Sequence, residues 1–365
     1  MKKTLVALAL ASAFSGAAFA QSSVTIYGLI DTTIHRETHV DAAGDSKLLL
    51  DDGAFNGNRL GFKGSEDLGG DTRAIFDIEA GFNLGNGSSE QQGQLFGRQA
   101  WVGLSNPTGG SLTLGRQYGT GFNFYGDFDP LGVGNWGSNS WELALTGVRF
   151  DNSVVYTNNF GGSPVNVLLQ YSIGGQAGNQ SSGNTYGGYI SGNIAPVKLG
   201  AFIQQSKETG NTATPGSLKD SMYGVGATGT FSIVTPFLSY GVSTKDAGFA
   251  KAASLSGGPL ADSSLSGNSD TVQRKDKLLE AGLGIQATSA VGITLGIMND
   301  KVSRSISYTE RTIYGYVTYN LSARTTTYIG IDANHIGNGT AGSLSGIGSG
   351  YTSSTDYGIG LRHRF

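Results

Sequence analysis

Tyr357-Gly-Ile359-Gly-Leu361-Arg-His363-Arg-Phe365 stands at the end of the chain, and its reading decides the fold. Apolar side chains recur at every second position, which is the period of a strand. Tyr357, Ile359, Leu361 and Phe365 make one apolar face, and Arg362 and Arg364 stand on the other. A strand that ends on an unshielded aromatic fits poorly in a soluble sheet. It fits a closed barrel whose outer face meets lipid and whose inner face meets water.

The opposite end agrees. Met1 to Ala20 holds two lysines, an apolar run from Leu5 to Ala13, and Ala18-Phe-Ala20 before Gln21. This predicts an export signal over 1–20, removed by cleavage, and a barrel over 21–365. No later stretch approaches the ~20 apolar residues that a spanning helix needs, so any membrane crossing is made by strands. Cysteine is absent, which excludes disulfides, thiolate metal sites and cysteine nucleophiles. The 59 Gly, 17 Phe and 16 Tyr, with 14% charged residues, are what alternating lipid-facing and water-facing positions average to. Loss of Lys2 and Lys3 takes the formal charge from −3 to −5, a balance that does not suggest nucleic acid as a partner. A secreted solenoid or sandwich would share the composition but not the two chain ends.

Period-two segments predict 16 strands, the first at 24–36, the second at 54–64 and the last at 353–365. Short and long connections alternate along the chain, as they do in transmembrane barrels with short turns at one end and long loops at the other. The Ser/Gly-rich stretch from Ala247 to Thr271 reads as an outer loop. The expected fold is all-β: a 16-stranded antiparallel transmembrane β-barrel with an inward-folded third loop.

Several segments carry a resemblance. They include Ser23-Val-Thr-Ile-Tyr-Gly-Leu-Ile-Asp31, Gly61-Phe-Lys-Gly-Ser-Glu-Asp-Leu-Gly-Gly70, Ala74-Ile-Phe-Asp-Ile-Glu-Ala-Gly-Phe82, Leu95-Phe-Gly-Arg-Gln-Ala-Trp-Val-Gly-Leu104, Leu112-Thr-Leu-Gly-Arg-Gln-Tyr118, Asp151-Asn-Ser-Val-Val-Tyr156 and Gly360-Leu-Arg-His-Arg-Phe365. In this order the chain resembles the trimeric general porins of beta-proteobacterial outer membranes, the neisserial and Burkholderia type. The resemblance implies a homotrimer in contact with outer-membrane lipid and lipopolysaccharide. It also implies passive diffusion of small hydrophilic solutes and ions, no cofactor, and a terminal Phe365 read by the outer-membrane assembly machinery. Two departures stand out: His363 replaces a further aromatic, and the third loop lacks the Pro-Glu-Phe-Gly-Gly string of enterobacterial porins.

A 16-stranded barrel leaves an aqueous channel, so a sieve needs something folded inward. The third long loop, Tyr118 to Val148, is the candidate. It carries Asp127, Asp129 and Glu142, with Phe122, Phe124, Phe128 and Trp136 to pack it and Gly119, Gly121 and Gly126 to bend it. Strand parity chooses the wall residues opposite. Arg59 and Lys63 point in because Leu60 and Phe62 point out. Arg73, Asp77 and Glu79 point in by the same rule, as do Arg149 and Asp151 beside an outward Phe150, Val154 and Tyr156. In the first strand Tyr27, Asp31 and His35 are inside. Parity leaves Arg98 undecided, since it falls with Ala100 and Val102; the resemblance places it inward. Arg116 falls with the outward Leu112 and Leu114 and is assigned to the subunit interface or the loop root. The expected constriction is Arg59, Arg98 and Arg149 against Asp127, Asp129 and Glu79, with Asp31, Lys63, Arg73 and Asp77 elsewhere on the lumen wall. Weak anion selectivity is the expectation that follows.

Gly28, Thr32, Gln99 and Gln117 read as a weakly apolar outer patch suited to a trimer contact. No enzyme is indicated, because none of the four His lies in a nucleophile motif. Gly337-Asn-Gly339-Thr-Ala-Gly342 fits a dinucleotide fingerprint, but no helix follows it. Asp41, Asp45, Asp51 and Asp52 fit no calcium loop, so no metal is expected. A substrate-specific porin would need an aromatic track along the lumen, and parity is expected to send most Tyr and Phe outward. An adhesive or structural barrel is the other alternative.

Overall fold

The alternation of the terminal segment runs through nearly the whole chain. The computed structural model describes residues 23–136, 145–209, 216–249, 271–338, 347 and 350–365. The expected export signal, Glu142 and most of the loop after Ala247 lie outside these residues. Strands β1 (Ser23–Glu37), β2 (Lys47–Asp52), β3 (Arg59–Gly69), β4 (Thr72–Gly81), β5 (Gln99–Asn106) and β6 (Gly110–Tyr118) come first. A helix, α1 (Thr120–Phe128), follows. Then come β7 (Arg149–Asn158), β8 (Val165–Ser172), β9 (Thr185–Ile194), β10 (Val197–Thr209), β11 (Ser217–Gly229) and β12 (Val234–Lys245). The last are β13 (Arg274–Gln286), β14 (Val291–Ser303), β15 (Tyr308–Asn320), β16 (Thr325–Gly337) and β17 (Ser353–Arg364).

Each strand from β3 onward pairs antiparallel with the next, and β17 returns to β1, with Leu29 opposite Arg364 and Glu37 opposite Asp356. On its other edge β1 pairs with β2 through Thr32–Glu37 and with β3 through Ser23–Leu29. The 17 segments therefore build 16 staves, β2 and β3 being two halves of one, and no edge is left open. Beyond β17 the ladder continues to Phe365, whose N–H and C=O bond to Gly28 at 3.1 and 3.0 Å. A Cβ on Gly28 would lie 2.2 Å from the Phe365 ring, so the closing aromatic requires a glycine beneath it.

The expected strand at 54–64 is corrected to β3, and residues 53–58 leave the wall. Asp31 accounts for the break. It is fully buried, and its Oδ2 accepts the Asn56 N–H at 2.9 Å while Tyr328 donates to its Oδ1 at 2.7 Å. Its own N–H donates to Asn58 Oδ1 at 2.6 Å. These bonds substitute for ladder bonds and hold Ala54 and Phe55 in a cluster with Leu131, Tyr314, Tyr316 and Tyr328.

Parity divides the wall. Ile203 and Tyr223 are 62% and 54% exposed, whereas their neighbours Phe202 and Met222 are buried. The third loop lies on the buried set. Phe124, Tyr125 and Phe128 of α1 cluster with Tyr189 (β9), Phe202 (β10), Met222 (β11), Leu278 (β13) and Met298 (β14). Glycines make the seat. A Cβ on Gly226 or Gly200 would stand 2.5 or 2.4 Å from Phe128, and one on Gly241 would stand 2.4 Å from the Tyr125 hydroxyl. Polar anchors complete it: Thr120 donates to Gln170 at 3.0 Å, the Gly121 N–H donates to Gln204 at 3.0 Å, and Gln204 donates to the Thr146 carbonyl.

Two expectations about this region change. Among the described residues, the loop's left-handed bends fall at Gly132, Val133 and Gly147, not at Gly119, Gly121 or Gly126. Gly119 is needed for space, because Phe150 lies under it and a Cβ would meet that ring at 2.6 Å. Phe150 is therefore fully buried and does not face lipid. The register of β6 against β7 slips between Gly115 and Gln117, and Asn152 takes φ 51°, which breaks the alternation that put Phe150 outside.

Candidate functional site

The β3, β4 and β5 strands bring the first charged group together. Glu79 stands opposite Gly61 on one side and Gln99 on the other. The missing side chain at Gly61 admits the Tyr27 ring, whose hydroxyl donates to Asp77 at 2.8 Å and Glu79 at 3.0 Å. Lys63 lies over the same ring, 5.1 Å from its centre. Arg98 escapes parity because it precedes β5. Its backbone N–H bonds to the Glu79 carbonyl at 3.0 Å and its Nε meets Glu79 Oε1 at 2.6 Å. Both side chains of this pair are under 10% exposed, so each charge depends on the other for solvation.

Tyr118, at the root of the third loop, gathers the arginines. Arg98 Nη2 donates to its hydroxyl at 3.1 Å, and the Arg149 guanidinium sits 5.0 Å above its ring. Phe122 stacks on the Tyr118 ring, with centroids 4.2 Å apart. Arg59, Arg98 and Arg149 line one cavity of about 490 Å³, with Phe55–Gly57 on one rim and Gly132, Val133 and Asn135 of the third loop on another. The two rims are tied together, since the Asn135 N–H bonds to the Ala54 carbonyl at 2.8 Å and its side chain to the Gly53 carbonyl at 2.8 Å. Among the described residues, Arg59 and Arg149 have no carboxylate within ion-pair distance, whereas Arg98 has Glu79.

The acidic side differs from expectation. Asp129 is 2% exposed and caps a turn, accepting the N–H groups of Leu131 at 2.9 Å and Val133 at 2.5 Å. Asp127 pairs with Lys198 at 2.6 Å and accepts the Tyr189 hydroxyl. Asp127 lines a second cavity of about 640 Å³ with Asn123 and Lys198, and neither Asp127 nor Asp129 borders the arginine cavity. The acids that do are Asp52 and Glu90. Sequence reasoning missed both because residues 37–53 were expected to be a loop, whereas Asp52 ends β2, and because Glu90 lies in a loop where parity says nothing.

Other residues also move. Asp151 bonds Arg116 at 2.7 Å, and Arg116 Nε donates to the Gly97 carbonyl at 2.6 Å, so Asp151 belongs to the loop root with Arg116. Gln99 and Gln117 are buried on the inner parity with Glu79 and Thr113, bonded to Trp101 and Thr113. They cannot form part of an outer patch. Arg73 is exposed near the turn, opposite Asp67. Tyr171, Tyr186, Tyr223, Tyr240, Tyr319, Tyr357 and Phe365 are exposed on the wall, on the outward parity, but the outward set is not complete. Tyr189, Phe202, Tyr314, Tyr316 and Tyr328 are inside, but all are buried beneath α1 or the 53–58 segment.

A closed antiparallel barrel of 16 staves, a helix seated on its wall and a cavity ringed by arginines narrow the choice of family. The model of the Gram-negative porin family matches residues 6–339. The chain belongs to that family. It is 34% identical to an outer membrane porin protein of Bordetella pertussis, over 67% of this chain and 70% of that one. It is 29% identical to outer membrane porin protein 32 of Delftia acidovorans over the full length of both. Among solved structures, an anion-selective porin from Comamonas acidovorans superposes with a TM-score of 0.76 at 22% identity, covering 94% of this porin and 100% of that chain. This porin is an outer-membrane β-barrel and a passive channel.

Proposed function

We propose that this porin passes small hydrophilic solutes with a weak preference for anions, and that the cavity ringed by Arg59, Arg98 and Arg149 is its constriction. One observation carries the reading: three guanidinium groups border one cavity of about 490 Å³, and two of them lack a carboxylate partner among the described residues. Guanidinium stays charged under all physiological conditions, and fixed charges at a narrow point sort ions by sign. The third loop and the 53–58 segment supply the walls that bring permeating ions close to these charges.

A homotrimer is part of this proposal. Support comes from the porin family to which the chain belongs; the Phe365 ring covers Gly28, and Val24, Ile26 and Ile34 are exposed beside it, so the first strand is not the weakly apolar patch that its sequence suggested. A substrate-specific channel is less well supported, because Tyr189, Phe202, Tyr314, Tyr316 and Tyr328 are buried beneath α1 or the 53–58 segment, and Tyr118 and Phe122 at the arginine cavity are two adjacent rings, not a track along the lumen. The same covered aromatics and the arginine-lined passage weigh against a purely adhesive or structural barrel.

The test is a planar-bilayer recording of the purified trimer in a tenfold KCl gradient. A reversal potential of the sign set by chloride is expected. A potential set by potassium, or a barrel that does not conduct, would overturn the proposal.

A further inference from the structure

The upper half of β1 carries a cluster that the channel does not use. Thr33, His35 and Glu37 share the inner parity. Across the barrel seam, Glu37 is the direct partner of Asp356 on β17, and His35 is the direct partner of Gly358. Gly358 has no side chain to occupy the space in front of the imidazole; a Cβ there would lie 2.7 Å from that of His35. On the next strand Asp332 is the direct partner of Asp356. Trp136 closes one side, with its ring 4.8 Å from the imidazole.

His35 is 4% exposed, and neither of its ring nitrogens has a hydrogen-bond partner. A buried imidazole normally bonds through at least one nitrogen, because leaving both idle forfeits solvation without compensation. One nitrogen of His35 and one carboxylate oxygen each of Glu37 and Asp356 lie within 4.8 Å of one another. Two carboxylates face the imidazole here, that of Glu37, which also meets Lys47 at 2.6 Å, and that of Asp356.

We infer that His35, Glu37 and Asp356 form a site for a divalent transition-metal ion of the zinc class on the lumen wall. Imidazole with two carboxylates suits Zn²⁺, whereas Ca²⁺ and Mg²⁺ prefer oxygen alone. Three protein ligands leave a fourth position open to lumen water. The ion gives the idle imidazole its partner and brings the Glu37 and Asp356 carboxylates to a common cation. Because the ligands come from β1 and β17, it also ties the two strands that close the barrel. Three acidic residues of the first loop are otherwise engaged: Asp41 caps a turn through the N–H groups of Ala43 and Asp45, and Asp51 and Asp52 accept from Asn83, Leu84 and Asn58.

The experiment is titration of the detergent-solubilised, full-length mature trimer with ZnCl₂ by calorimetry. One ion per chain is expected. His35→Ala and Asp356→Asn should each weaken binding by more than about tenfold, while His39→Ala and His335→Ala should leave it unchanged. His39 already bonds the Ser353 carbonyl and stacks on Tyr351. Affinity unaltered in His35→Ala or Asp356→Asn, or lost in His39→Ala or His335→Ala, would overturn the site. X-ray absorption of the zinc-loaded parent protein provides a check that needs no variant. One imidazole in the coordination shell is expected, and a shell of oxygens alone would refute the assignment.

Discussion

Replacing Arg59 and Arg149 by Ala should move selectivity toward cations by an amount that depends on salt. Both guanidiniums border the cavity between the third loop and the 53–58 segment, without a carboxylate partner among the described residues. A chloride ion passing about 5 Å from one such charge in water gains about 0.8 kcal/mol. At 0.1 M salt, with a screening length of about 10 Å, roughly 0.5 kcal/mol of this survives. That is about a twofold gain for the anion and a similar loss for the cation, or about a fivefold change in the anion-to-cation ratio per arginine. At 1 M, where the screening length is about 3 Å, the change per arginine falls below about twofold. The assay is the reversal potential of single and double variants in KCl gradients centred on the two concentrations. Each single change should shift the potential toward potassium at low salt, the double most, and all shifts should shrink at high salt. Arg73→Ala, at an exposed site opposite Asp67, should shift it less. A double variant that forms trimers and keeps the parent potential at 0.1 M would refute the reasoning. So would a shift of equal size at both concentrations.

Phe124→Ala should loosen the third loop, because the ring is fully buried against Phe128, Tyr189 and Phe202. A loss of about 3–5 kcal/mol is expected for such a truncation, read as larger or noisier single-channel conductance in barrels of normal heat stability. Gly226→Leu should give the same phenotype by filling the seat of Phe128. Glu79→Gln leaves the Arg98 guanidinium buried without its counter-charge, which should cost about 3–5 kcal/mol of barrel stability and lower the temperature at which the barrel unfolds in SDS. Deleting Phe365 removes both closing hydrogen bonds to Gly28, and the yield of assembled protein in outer-membrane fractions should fall while export continues. The folded protein should migrate as a trimer in unheated SDS gels; a monomer by both gel and light scattering would contradict the trimer.

The sequence by itself determined the barrel. Period-two alternation is local, and each strand declares its two faces without reference to its neighbours, so the count of 16 staves and the inward direction of Arg59, Asp77 and Glu79 were legible in the sequence. Tertiary structure decided the rest wherever the alternation is broken or the backbone leaves the wall. Phe150 was misplaced because the bulge opposite Gly115–Gln117 turns the chain by one residue. Arg98 was undecided because it lies before β5, where its Glu79 bond sets its direction. Asp127 and Asp129 were assigned to the arginines because they are acidic and lie in the right loop. Their positions were set by α1, which hands Asp127 to Lys198 and turns Asp129 into a cap. That helix is held by glycines on β10, β11 and β12, and a glycine in sequence does not say which distant ring will lie on it. The cluster of His35, Glu37 and Asp356 was hidden for a similar reason: barrel closure joins residues more than three hundred positions apart, and only the register of β1 against β17 places them face to face.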